Sequence, residues 1–96
     1  MLHGRRALVI LLPQPFNKYI LVYLTRDNFT DIALVRDGSD VYFVDGSGRC
    51  LYHEVLAFDR TAGKLYTAVN PAGNTVIYML YGGENPCTTY RSVEQE

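Results

Sequence analysis

Asp40, Cys50, His53 and Glu54 bring an acid, a thiol, an imidazole and a second acid into one short stretch of this chain. The tripeptide Asp-Gly-Ser flanks that stretch on one side at 37–39 and enters it at 45–47. Paired aspartate loops invite a metal or a phosphate. A calcium loop needs alternating oxygen ligands and a closing glutamate, whereas apolar Val41, Tyr42, Phe43 and Val44 fill the space between the two tripeptides. A phosphate cradle needs a glycine-rich loop that opens a helix, and Gly46-Ser47-Gly48-Arg49 opens an apolar run instead. Both loops read as turns, because Asp-Gly between apolar runs supplies the positive φ of a tight hairpin. No metal site and no cofactor is expected.

Catalysis fares no better. Cys50 and His53 are three residues apart, which on a strand points them to opposite faces and rules out a dyad. No serine lies in Gly-x-Ser-x-Gly, and no His, Cys or carboxylate cluster has metal spacing. No catalytic residue is assigned. Glu54 falls mid-strand and needs a partner such as an arginine or the solvent at a sheet edge.

Two-residue turns at Gly38-Ser39 and Gly46-Ser47 would pair Val35 with Tyr42, Phe43 with Cys50 and Asp40 with His53. In that register Tyr42, Leu51, His53 and Val55 share a face, and Leu56 and Phe58 share the other. Both faces are apolar, so the second must be covered by later strands, a helix or a partner chain. The candidate binding surface is Asp40, Tyr42, Leu51, His53 and Tyr66.

The elements that must carry these residues are short runs of Val, Ile, Leu, Tyr and Phe closed by Gly, Pro, Asn or Asp. Seven strands are expected, at 6–12, 18–25, 30–36, 40–44, 49–58, 64–69 and 75–81. Their short connections predict an antiparallel meander, and so an all-β fold curled into a partly closed barrel or a sandwich. The competing reading is α+β, with one short helix near residues 28–36, where Phe29, Ile32 and Ala33 have helical spacing after an Asp/Asn cap signal. Residues 1–83 form a single β domain, and 84–96 a loop and loosely ordered tail.

Composition excludes several classes. With 48% hydrophobic residues and a net charge of -1, the 96-residue chain is globular rather than disordered. Nine Lys and Arg residues are scattered among ten acids, without the basic stripe that phosphate binding demands. The apolar run 7–12 is too short for a secretory core or a membrane span, so it reads as a buried strand of a soluble, cytoplasmic protein. In that setting Cys50 and Cys87 are expected as reduced thiols, and the Asn28-Phe29-Thr30 glycosylation pattern carries no weight. The function expected is a non-enzymatic binding module, a homodimer or one that meets a protein partner through tyrosine-bearing sheet, with a small ligand as a further option. Two other classes compete. One is a small barrel enzyme around Asp40, Tyr42 and His53; the other is single-stranded nucleic-acid binding, which requires Arg36, Arg49 and Arg26 or Arg60 to converge on an aromatic face.

Overall fold

A computed structural model describes residues 6–87. Six strands are formed: β1 (Arg6–Leu11), β2 (Ile20–Thr25), β3 (Tyr42–Val44), β4 (His53–Asp59), β5 (Lys64–Val69) and β6 (Val76–Tyr81). They make two three-stranded antiparallel sheets, β1-β6-β3 and β2-β5-β4, which are not joined into a barrel. The fold is all-β, as the strand-and-turn punctuation predicts. It is not a meander. Of the sequential neighbours only β4 and β5 pair, while the chain otherwise passes from one sheet to the other.

Alternation along the strands builds the core. Leu8, Ile10, Phe43, Ile77 and Met79 of the first sheet meet Leu24, Val22, Leu65 and Val69 of the second in one apolar cluster. A strand's period of two sends every other residue to this side.

The segment 30–36 is not a strand. Thr30–Leu34 forms a 3-10 helix, closed by Ile32 N–H to Phe29 O at 3.1 Å and Val35 N–H to Ile32 O at 3.2 Å. Its three-residue turn brings Phe29, Ile32 and Val35 onto one side, and all three are buried in the core. Tyr81 ties the helix to β6 by donating its hydroxyl to Asp31 at 2.9 Å. Burial, followed by that contact with Asp31, pushes the Tyr81 phenol up to about 12.

Strand β4 contains a bulge. Val55 faces Thr67 and Ala57 faces Tyr66, which leaves Leu56 without a partner in the ladder. The extra residue changes the alternation, so Phe58 turns inward with Val55 and packs on the core, and Leu56 turns outward. The expectation that Leu56 and Phe58 share a face fails for this reason.

The β4–β5 hairpin is held by an arginine. Arg26 donates to the carbonyls of Thr61 at 2.8 Å, Ala62 at 3.0 Å and Arg60 at 3.3 Å. Gly63 lies against that guanidinium with φ +70, and a Cβ there would come within 2.5 Å of Arg26 Cζ. The positive φ favours glycine, and any side chain there would displace the Arg26 guanidinium.

Candidate functional site

Each Asp-Gly-Ser loop is a clasp closed by its own serine. Asp37 Oδ1 accepts from Ser39 N–H at 3.0 Å and from Ser39 Oγ at 2.6 Å. Asp45 Oδ1 does the same with Ser47, at 2.9 and 2.8 Å, and adds Arg49 N–H at 2.9 Å. These are side-chain-closed turns. The Ser39 hydroxyl holds the Asp37 carboxyl below the usual range. At Asp45 burial pushes upward, but the Ser47 hydroxyl and nearby N–H groups prevail and the carboxyl is again lowered.

The second clasp is longer than a two-residue turn. Asp45 N–H reaches Arg49 O at 3.0 Å, Val44 bridges Cys50, and Leu51 N–H donates to Phe43 O at 2.9 Å. The pairing is therefore offset by one residue from the expected Phe43–Cys50 register. A slip of one exchanges faces. Tyr42 and Val44 point with Cys50 to the outside of the first sheet, whereas Leu51 points with Phe43 into the core.

Asp40 is fully buried and organises the first loop. Its Oδ2 accepts from Gly82 N–H at 2.8 Å and Arg36 N–H at 3.0 Å, and its Oδ1 from Gly38 N–H at 3.2 Å and Asp37 N–H at 3.4 Å. Burial raises its pKa, but these N–H groups outweigh burial and hold the carboxyl below the ordinary Asp value. Asp40 thus fastens the 36–38 turn to the end of β6.

From Gly82 the chain folds back over the first sheet. Asn85 Nδ2 donates to Ser39 O at 2.9 Å and Val41 O at 3.3 Å, and Cys87 forms a disulfide with Cys50 across a Cα separation of 5.7 Å. The expectation of two reduced thiols is corrected: the Val44–Cys50 bridge brings Cys50 to the face where the returning segment ends. Cys87 completes a second apolar cluster with Tyr42, Val44 and Leu80. The cover over Tyr42 is the chain's own segment. Residues 84–87 form the expected loop and are tied to the body by Asn85 and Cys87, and the expected tail lies outside the described residues.

The five expected surface residues are divided by this arrangement. Asp40, Tyr42, Leu51 and His53 are buried, and only Tyr66 is on the surface. His53 belongs to the interior, with Nδ1 2.8 Å from Leu51 O and its ring 5.4 Å from that of Phe43. Asp40, engaged by its four backbone donors, is placed to hold a turn rather than to exchange a proton.

Of the outer face of β2-β5-β4, the expected surface includes only Tyr66. Tyr23 lies opposite Tyr66 and Leu21 opposite Ala68, and the two tyrosine rings meet edge to face at 5.6 Å. Leu21 is 59% exposed, Tyr23 50%, Leu56 45% and Tyr66 37%. The signal was present in Ile20-Leu21-Val22-Tyr23-Leu24, a strand apolar on both sides.

A crevice of about 460 Å³ runs beside β4 on its free edge. The loop residues Asp37, Gly38 and Ser39 form one wall, His53 to Phe58 the other, and Val41 and Asn85 also line it. Gly38, at φ +95, brings the loop against Val55 and Phe58, where a Cβ would sit 3.4 Å from Val55 Cγ1.

Arginine convergence is not what the fold builds from Arg26 and Arg60. Arg26 caps the β4–β5 hairpin, and Arg60 Nη2 donates to the carbonyls of Val35, at 2.6 Å, and Arg36. Among the described residues, no group of three or more His, Cys, Asp or Glu side chains could hold a metal ion, and no helix is long and apolar enough to cross a membrane. No protein-family model, curated protein or solved structure matches the chain.

Proposed function

We propose that this protein is a non-enzymatic binding module that self-associates through the Tyr23–Tyr66 face of β2-β5-β4. The observation that carries this reading is the exposure of Leu21, Tyr23, Leu56 and Tyr66 together on one sheet. Isolated apolar side chains are ordinary on a surface, but a contiguous group of them marks a contact. Tyrosine suits such a contact because its ring contributes apolar area while its hydroxyl keeps a hydrogen bond. A two-fold axis over the Tyr23–Tyr66 pair would bury the same patch on both copies.

The Cys50–Cys87 bond favours an oxidising environment over the cytoplasmic setting that reduced thiols would suit. Light-scattering mass measured across a concentration series tests the association. The expected result is a rise from monomer to dimer that Tyr23→Lys abolishes; a strict monomer at high micromolar concentration would sink the proposal.

A further inference from the structure

The chain carries one tripeptide twice, Asp37-Gly38-Ser39 and Asp45-Gly46-Ser47, and the fold gives the two copies different surroundings. In each, the aspartate Oδ1 accepts the N–H of the serine two residues on, which folds the carboxyl back alongside the intervening glycine nitrogen. A carboxyl held beside the next backbone nitrogen can cyclise on it, and glycine permits this best because it has no Cβ to hinder the approach. The two glycines differ. Gly38 is buried, its N–H is donated to Asp40 Oδ1 at 3.2 Å, and the N–H of Asp37 goes to the same oxygen at 3.4 Å. The Asp37–Gly38 peptide is thus held from inside the fold. Gly46 is exposed, and no heavy atom beyond its chain neighbours lies within 4 Å of where a Cβ would stand. Among the described residues its N–H meets no acceptor.

We propose that Asp45–Gly46 is a site of spontaneous isoaspartate formation, with Asp37–Gly38 as its protected counterpart. The Gly46 nitrogen gives up its proton and bonds to Asp45 Cγ, a Cγ–O bond breaks, and the leaving oxygen departs as water, closing a five-membered succinimide. Oδ1, which accepts from Ser47 N–H, Ser47 Oγ and Arg49 N–H, draws charge from Cγ, and Oδ2, which no described donor holds, is the oxygen that leaves. Water then opens the ring. Attack at Cγ restores aspartate, whereas attack at the backbone carbonyl carbon breaks its bond to the Gly46 nitrogen and routes the main chain through Cβ and Cγ. The second outcome adds a methylene to the backbone of the clasp and takes Oδ1 away from Ser47 and Arg49. Because the clasp sets the Val44–Cys50 bridge and the Leu51–Phe43 hydrogen bond, the change reaches the segment that anchors the disulfide. The reaction consumes only water and needs no second copy of the chain, so it stands apart from the Tyr23–Tyr66 face.

The test is an incubation of the full disulfide-bonded chain in mildly acidic buffer below its unfolding temperature, beside the same chain in denaturant. Trypsin releases residues 37–49 as one peptide, bounded by Arg36 and Arg49, and electron-transfer fragmentation distinguishes isoaspartate at 37 from isoaspartate at 45. In denaturant the two tripeptides are equivalent and should convert at similar rates. In the folded chain, conversion at 45 should exceed that at 37 by roughly 10-fold or more, the equivalent of about 1.4 kcal/mol in the barrier, near what one hydrogen bond to a charged acceptor contributes at Gly38. Gly46→Ala, whose new methyl meets open space, should slow conversion at 45 several-fold and leave the circular dichroism spectrum unchanged. Equal conversion at the two positions of the folded chain, or faster conversion at 37, overturns the inference. So does conversion at neither position over a time in which the denatured chain reacts at both, or full-speed conversion in Gly46→Ala.

Discussion

The two sheets solve the same problem differently. Each has an inner face in the common core and an outer face that is also apolar. On β1-β6-β3 the outer residues Tyr42, Val44 and Leu80 are buried under the chain's own 82–87 segment, fastened at Gly82 by Asp40, at Asn85 by two carbonyls and at Cys87 by the disulfide, while Val9 and Leu11 on the β1 edge stay exposed. On β2-β5-β4 nothing among the described residues covers Leu21, Tyr23 and Tyr66 to the same degree. The contrast separates two meanings of an apolar sheet face. One is internal structure that took a covalent staple to close; the other is surface left for a partner.

Removing the first fastening should have the largest effect. Asp40→Ala leaves four N–H groups, one buried and three partly buried, without this acceptor. Hydrogen bonds to a charged group are worth about 1.5–3 kcal/mol each, so a loss on the order of 4 kcal/mol or more is expected in denaturant unfolding. The same carboxylate gives the stability a pH dependence of known sign. Because its folded pKa lies below that of a free Asp, about 3.9, its contribution is fully present above that pH and is lost as pH falls through the folded value. Acid unfolding monitored by circular dichroism should therefore begin later in Asp40→Asn than a simple loss of stability at neutral pH would suggest, since that variant has no carboxylate to protonate there.

Removing the staple comes next. Cys50 and Cys87 are 37 residues apart, and chain-entropy arguments assign a loop of that length about 3–4 kcal/mol. Cys50→Ser with Cys87→Ser should lower stability by that amount and expose the Tyr42 face, read as increased binding of a hydrophobic dye. Asn85→Ala, which removes only the tie to Ser39 and Val41, should cost about 1 kcal/mol. If Asn85→Ala proved more damaging than loss of the disulfide, the ordering of the three fastenings would be wrong.

The sequence made the strands readable because their alternation is local, and the two turns were readable because Asp-Gly is a local signal. What it concealed depended on counts of one. One residue more in the Asp45–Arg49 clasp moved Tyr42 and Leu51 to different faces. One unpaired residue, Leu56, moved Phe58 inward. The 28–36 segment offers Phe29, Ile32 and Ala33 at helical spacing, but the period of three that buries Phe29, Ile32 and Val35 together falls between those of strand and α-helix, so the sequence pattern does not single out the 3-10 form. Asp40 stood out for its chemistry, yet its main partner after the local turn is Gly82 N–H, 42 residues away, and no spacing announces that contact. The Cys50–Cys87 bond was hidden for the same reason, because it depends on where the chain returns after β6.

Tyrosine labelling measured by mass spectrometry at low and high protein concentration tests the contrast between the faces most directly. Tyr23 and Tyr66 should label readily in dilute protein and become protected as concentration rises, while Tyr42 stays protected throughout. Labelling of Tyr23 and Tyr66 that ignores concentration, or Tyr42 that labels as fast as Tyr23 in the disulfide-bonded protein, would contradict the account.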